Sequence, residues 1–223
     1  MQYIIKKEKG YNGMSYNKTM REIPKDNILA YAAFYDYKKK LEHSNDLELE
    51  KDILKKAQKI DSAKDLFEFL LDKENGILKW KGALRIERYF RDKDEEYWDS
   101  VRKESFLNEI KKSCDDWNVN KEIVKKLAKN KDYTGISYSI ASTLVYFFSK
   151  GNCPIIDTRA KRTLKDWYDV HDMDWDEYFN KCLEIVNKYG ISIRDLDKAL
   201  WIYQDIKEYL PICKCLSDSN IHE

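Results

Sequence analysis

Glycine and proline are scarce, seven of one and three of the other in 223 residues. All-β folds turn tightly and often and use more of both, so the scarcity points to helices. Long apolar runs are missing too: no stretch approaches the roughly 20 residues of a transmembrane helix. The opening Met1-Gln2-Tyr3-Ile4-Ile5, followed by Lys6 and Lys7, lacks the apolar core of a signal peptide. Cys114, Cys153, Cys182, Cys213 and Cys215 form an odd, scattered set. Such a set excludes a disulfide framework and makes a reducing cytoplasm the expected location. His43, His171 and His222 have no metal-ligand spacing, and Cys213-Lys214-Cys215 alone is a poor metal signal, so neither metal nor cofactor is expected.

What is present is a wet, globular composition, 43% hydrophobic and 36% charged, with enough chain to bury a real core. The formal net charge of +1 conceals an uneven distribution. Between Lys121 and Lys165 stand ten basic and three acidic residues, a local +7 that leaves −6 for the rest. A concentrated basic segment in a neutral chain fits local phosphate binding, and it equally fits a solvated lysine-rich helix face.

Apolar spacing predicts helices from Pro24 onward, after a polar and aromatic arm over residues 1–23. One stripe is Ile28, Leu29, Ala32, Ala33 and Tyr37, and a second runs from Leu47 to Ala57. Ser62 is the predicted cap of a third helix that stops at Asn75-Gly76. Ile77, Trp80, Leu84, Tyr89 and Phe90 mark a fourth, and Tyr97, Trp98, Val101, Phe106, Leu107 and Ile110 a fifth. The polar stretch from Asp115 to Asn120 is the predicted seam, giving lobes over 24–118 and 119–223 that form either two units or one compact domain.

The informative stretch follows that seam. Asn120 reads as a cap for a helix burying Ile123, Val124, Leu127 and Ala128. Tyr133-Thr134-Gly135-Ile136-Ser137 is a tight connection to a second helix that carries Ile140, Ala141, Leu144, Val145 and Phe148 inward. Gly135 permits a sharp turn, and the next helix opens with free backbone N–H groups that can hold a phosphate oxygen. An ordinary helix pair without a ligand has the same local pattern. Beyond it, Gly151-Asn152-Cys153-Pro154-Ile155-Ile156-Asp157 is a Gly/Pro loop ending in an aspartate at a helix start, where Asp is also a favoured cap.

Hairpin, loop and aspartate in this register resemble the HhH-GPD superfamily of DNA glycosylases. Gly135-Ile136-Ser137-Tyr138-Ser139-Ile140-Ala141 matches the hairpin and Pro154-Ile155-Ile156-Asp157-Thr158-Arg159 the loop with its catalytic aspartate. Tyr178 through Trp201 is similar to a C-terminal segment of uncharacterised bacterial members, so the resemblance covers about the second half of the chain.

The resemblance implies an all-α, two-lobed helical bundle with a helix-hairpin-helix motif and double-stranded DNA as its partner. It assigns Asp157 as the catalytic carboxylate. Gly135, Ile136, Ser137 and Ser139 present the phosphate-binding hairpin, with Lys131 and Lys161 as electrostatic helpers. Ser139 stands where bifunctional members carry a lysine, and serine cannot do that amine chemistry. The implied reaction is therefore monofunctional hydrolysis of the N-glycosidic bond of a damaged or unusual base. Ser137 and Thr134 replace the hairpin's usual second glycine and preceding proline. The family's iron–sulfur cluster needs four closely spaced cysteines, and the C-terminal end offers two. Two alternatives stay open: a non-catalytic DNA-binding or interaction protein that keeps this fold, and a purely structural helical domain. An enzyme requires Asp157 open to a cleft on the hairpin's side; a scaffold buries it against Arg159, Arg162 or the helix start.

Overall fold

Short polar side chains ahead of apolar stripes decide where most helices of this chain begin, because a helix's first N–H groups need an acceptor. A computed structural model describes residues 23–42, 46–83, 90, 98–170, 172–207 and 209, and these residues hold ten α-helices and no strand. The helices are α1 (Lys25–Leu41), α2 (Asp46–Ala57), α3 (Ala63–Leu71), α4 (Ile77–Lys81) and α5 (Ser100–Ile110). They continue with α6 (Trp117–Lys129), α7 (Tyr138–Phe148), α8 (Thr158–Tyr168), α9 (Trp175–Tyr189) and α10 (Ile193–Ile206). The all-α class read from composition is the class of the described residues. Ser62 caps α3 as predicted, accepting from the Asp65 N–H at 3.1 Å. Asp174 and Glu177 close a reciprocal capping box on α9.

Several expectations need correction. Asp116, not Asn120, caps α6, accepting from the Asn118 and Val119 N–H groups. Asn120 lies one turn inside and is fully buried. The third helix ends at Leu71 rather than at Asn75-Gly76, and Gly76 starts α4 instead. A Cβ on Gly76 would meet the Asp72 carbonyl oxygen at 2.3 Å, so only glycine fits there. The α1 stripe is narrower than its apolar residues: Ile28 and Ala32 are buried, whereas Leu29, Ala33 and Tyr37 face outward because the helix packs chiefly along α10. Val101 points away from the core and is 75% exposed. Leu84, Tyr89 and Tyr97 lie outside the described residues, as does the arm up to residue 22.

Helix α1 packs along α10, so the two ends of the described chain share one layer, with α8 and α9 also on α10. Helices α6 and α7 pair closely and meet α5, while α2 and α4 rest on α7. An aromatic group fixes the hairpin: Trp98 stacks on Tyr133 at 5.7 Å, Phe106 meets both rings edge-on, and the Trp98 indole N–H donates to the Thr134 carbonyl at 3.2 Å. Burying each of these large side chains favours folding by about 1.5–3 kcal/mol. The connection between α6 and α7 is thereby clamped from one side. No described helix is long and apolar enough to cross a membrane.

Candidate active site and nucleic-acid interface

The α6–α7 connection turns at Gly135, whose φ of 87° lies in the left-handed region. Ser137 then caps α7 in an extended conformation, its hydroxyl 3.5 Å from the Ile140 N–H. The backbone N–H groups of Gly135, Ser137, Tyr138 and Ser139 have no acceptor among the described residues. They are therefore available to an anion, in the field of the α7 N-terminus. Ile136 behaves differently: its side chain is buried and its N–H donates to the Tyr133 carbonyl at 3.2 Å. Its place is in the turn's frame and not on the exposed rim.

Two buried contacts set the loop that carries Asp157. The Ser142 hydroxyl accepts from the Ile156 N–H at 3.2 Å and itself donates to the Ser139 carbonyl. On the other side the Tyr178 hydroxyl donates to the Ile155 carbonyl at 3.0 Å. Upstream, the Asn120 amide donates to the Asn152 carbonyl at 2.8 Å and to the Cys114 carbonyl at 2.7 Å. Sequence reading missed Asn120 and Ser142 as positioning residues. Buried polar side chains on otherwise apolar helix faces were the available signal.

Asp157 caps α8: one carboxylate oxygen accepts from the Ala160 N–H at 2.8 Å. The other lies 3.7 Å from the Lys81 ammonium, and the side chain stays 21% exposed. Asp157 lines a cleft of about 520 Å³ together with Ser137, Tyr138, Ser139, Lys129 and Lys161. That volume lies in the usual range for small-ligand sites, roughly 300–1,000 Å³. Trp175 and Tyr138 stack at 6.1 Å on one flank. Asp176 also lines the cleft, but Lys121 and Lys125 pair with it at 3.0 and 2.8 Å and hold its carboxyl below the usual range. Thus the hairpin's rim and Asp157 share one concavity, with Arg159 turned aside onto Asp205 at 2.7 Å and over the Trp201 ring. A separate cavity of about 610 Å³ between α3 and α5 contains none of the candidate residues.

Eight of the ten basic residues in the segment fall into two groups. Lys121, Lys125 and Lys126 are tied to Asp176 and Glu109, so their charge is locally compensated. Lys129, Lys131, Lys161, Arg162 and Lys165 form no ion pair among the described residues. Of these, Lys129 and Lys161 line the Asp157 cleft. Lys161, Arg162 and Lys165 line an adjoining groove of about 270 Å³. Lys131 is exposed before the turn and lines neither. The chain matches no family model, and neither a curated protein nor a solved structure is significantly similar to it.

A buried charge cluster gathers around Arg194. The Arg194 guanidinium grips Glu50 with two hydrogen bonds of 2.7 and 2.5 Å and also donates to Asp197. Tyr146 adds a hydroxyl to Glu50 at 2.8 Å. Burial is the largest influence on Asp197 and, with the Asp157 charge nearby, pushes its carboxyl up to about 6 against the pull of Arg194 and Lys81. On the same helix Asp195 stays outside the cluster and accepts from the Ser192 hydroxyl. Tyr146 is buried against Glu50, Trp167 and Tyr203 pack on each other, and Tyr138 lines the cleft. No group of three or more His, Cys, Asp or Glu side chains is arranged to hold a metal ion among the described residues, and Cys213 and Cys215 lie outside them.

Proposed function

We propose that the chain is a monofunctional DNA glycosylase of the helix-hairpin-helix kind, with Asp157 as its catalytic carboxylate. The observation that carries the reading is one shared cleft: Asp157, Ser137 and Ser139 line it together with the unpaired cations Lys129 and Lys161. Breaking an N-glycosidic bond builds positive charge on the sugar. A carboxylate beside C1′ stabilises that charge and orients the attacking water. The free N–H groups at Gly135 and Ser137 to Ser139 take a phosphate oxygen, while Lys129, Lys131 and the α8 cations hold neighbouring phosphates. The target base leaves the stack to reach the cleft. Ser139 offers no amine at the cleft, which fits hydrolysis to an abasic site without strand cleavage.

A second reading is a DNA-binding protein that no longer reacts. It is favoured by the partners of Asp157, since the Ala160 N–H and the Lys81 ammonium each engage one carboxylate oxygen. One assay separates the two. Duplexes carrying uracil, alkylated purines or oxidised guanine are incubated with the protein and then treated with alkali, which cuts at abasic sites. The enzyme reading requires product from at least one duplex, lost in Asp157→Asn with DNA affinity retained. Product from Asp157→Asn at the wild-type rate removes the mechanism, and no product from wild type on any duplex favours the second reading.

A further inference from the structure

Helix α8 carries charge on two flanks, and the fold neutralises them unequally. Toward α10, Arg159 meets Asp205 at 2.7 Å, and Asp166 takes the Lys207 ammonium at 3.1 Å and the Gln204 amide at 3.0 Å. Thr158, Lys161, Arg162 and Lys165 fall on the other flank, at positions i, i+3, i+4 and i+7 of one helical face. All four line the groove of about 270 Å³, together with Asp172 and Met173 from the connection between α8 and α9. Neither Asp172 nor any of the three cations forms an ion pair among the described residues. Three cations against one carboxylate leave the groove a surplus of positive charge, which repels itself in the free protein.

Thr158, Lys161 and Met173 also line the Asp157 cleft, so cleft and groove share a rim and run into one another. Ser137, Tyr138 and Ser139 line the cleft and not the groove. The order along this surface is therefore hairpin, Asp157, shared rim and α8 groove.

We infer that the groove is a second phosphate grip, which holds the target strand on the side of Asp157 away from the hairpin. The strand straddles the cleft carboxylate: the hairpin N–H groups hold one flank of the reacting nucleotide, and Lys161, Arg162 and Lys165 the other. The inference rests on the DNA partner of the glycosylase reading and not on the reaction itself. The charge surplus calls for a polyanion. The length calls for a run of backbone phosphates instead of a single anion. From Thr158 to Lys165 the helix rises about 10 Å, close to three nucleotide steps of about 3.4 Å along a strand. Such contacts position a strand without reading its sequence. A grip on both flanks also has a mechanical use. Drawing a base from the stack costs unstacking energy, and phosphates fixed on each side keep the sugar against Asp157 while the base is out.

The test is interference by neutral phosphates. Duplexes carry one tetrahydrofuran abasic site and a single uncharged methylphosphonate linkage, moved along both sides of that site and through both strands. Fluorescence anisotropy compares wild type with the double variant Arg162→Gln/Lys165→Gln. Both side chains are exposed, and circular dichroism checks that the variant is folded. Wild type is expected to lose about fivefold or more in affinity at linkages on both sides of the abasic site, within its own strand. In the double variant the loss on one side is expected to shrink below about twofold, and the loss on the other side to persist. The same pattern in variant and wild type overturns the grip. So does finding that the linkages relieved by the variant lie in the opposite strand, or on the same side as those that persist. Base release plays no part in this readout. A protein that shows the expected pattern yet releases no base loses the glycosylase reading and keeps the grip, and no affinity for any of these duplexes overturns both.

Discussion

Removing the Arg194 guanidinium in Arg194→Met takes away the one cation among the described residues that touches both Glu50 and Asp197. Glu50 loses hydrogen bonds of 2.7 and 2.5 Å, Asp197 loses its donor, and the two carboxylates are 9% and 12% exposed. Breaking a buried pair by deleting one partner costs about 3–5 kcal/mol, because a desolvated charge is left uncompensated. At a urea slope of about 2 kcal/mol/M, the denaturation midpoint at pH 8 falls by about 2 M. The loss depends on pH in a fixed direction. In wild type the folded Asp197 carboxyl titrates near 6, above its ordinary range, so its stabilising contribution is present at low pH and is gone once pH has risen past 6. Without Arg194 the folded Asp197 carboxyl moves higher still, so the variant keeps losing stability between pH 6 and 8, where wild type gains no such penalty from this group. Urea titrations followed by far-UV circular dichroism at pH 6, 7 and 8 measure both effects. A loss under about 1 kcal/mol, or one equal at all three pH values, refutes the buried-charge argument.

Four further outcomes are expected. Ser142→Ala leaves the buried Ile156 N–H without an acceptor and is expected to cost about 1–3 kcal/mol by urea denaturation. Gly135→Val forces a β-branched residue to a φ of 87°; a loss of about 1–3 kcal/mol, with weakened DNA binding, is expected by the same titration and by fluorescence anisotropy. Neutralising Lys129, Lys161, Arg162 and Lys165 together is expected to reduce the slope of log affinity against log salt by about 3, whereas neutralising the compensated Lys121, Lys125 and Lys126 changes it by less than about 1. Burial raises the Cys153 and Cys182 thiols, so alkylation at pH 8 of the folded protein is expected to modify Cys114 long before either, as peptide mass mapping would show.

Helix class and the caps at Ser62 and Asp157 were legible because each depends on a few adjacent residues. The same holds for the α6–α7 hairpin, where Gly135 and the flanking apolar stripes are consecutive. Long-range facts were not legible. That α1 rests on α10 leaves Leu29 and Tyr37 facing outward, and no local period distinguishes them from Ile28. Asn120 looks like a cap by residue type, yet Asp116 is better placed, and burial of Asn120 follows from the approach of residue 152. Lys81 is separated from Asp157 by 76 positions in the chain, so only the fold brings an ammonium to that carboxylate. Likewise the surplus of lysines between Lys121 and Lys165 gave no hint that three are neutralised by Asp176 and Glu109 while the others form no ion pair among the described residues.

The most direct measurement needs no knowledge of the base removed. Duplexes are prepared with one abasic position filled either by a neutral tetrahydrofuran or by a pyrrolidine, whose protonated ring nitrogen carries the charge an excised sugar develops. Affinities of wild type and Asp157→Asn for both are compared by fluorescence anisotropy. A carboxylate aimed at the reacting sugar predicts that wild type prefers the cationic ring by about tenfold or more and that Asp157→Asn binds both alike. Equal affinities in wild type, or a preference that survives the substitution, contradict the role given to Asp157.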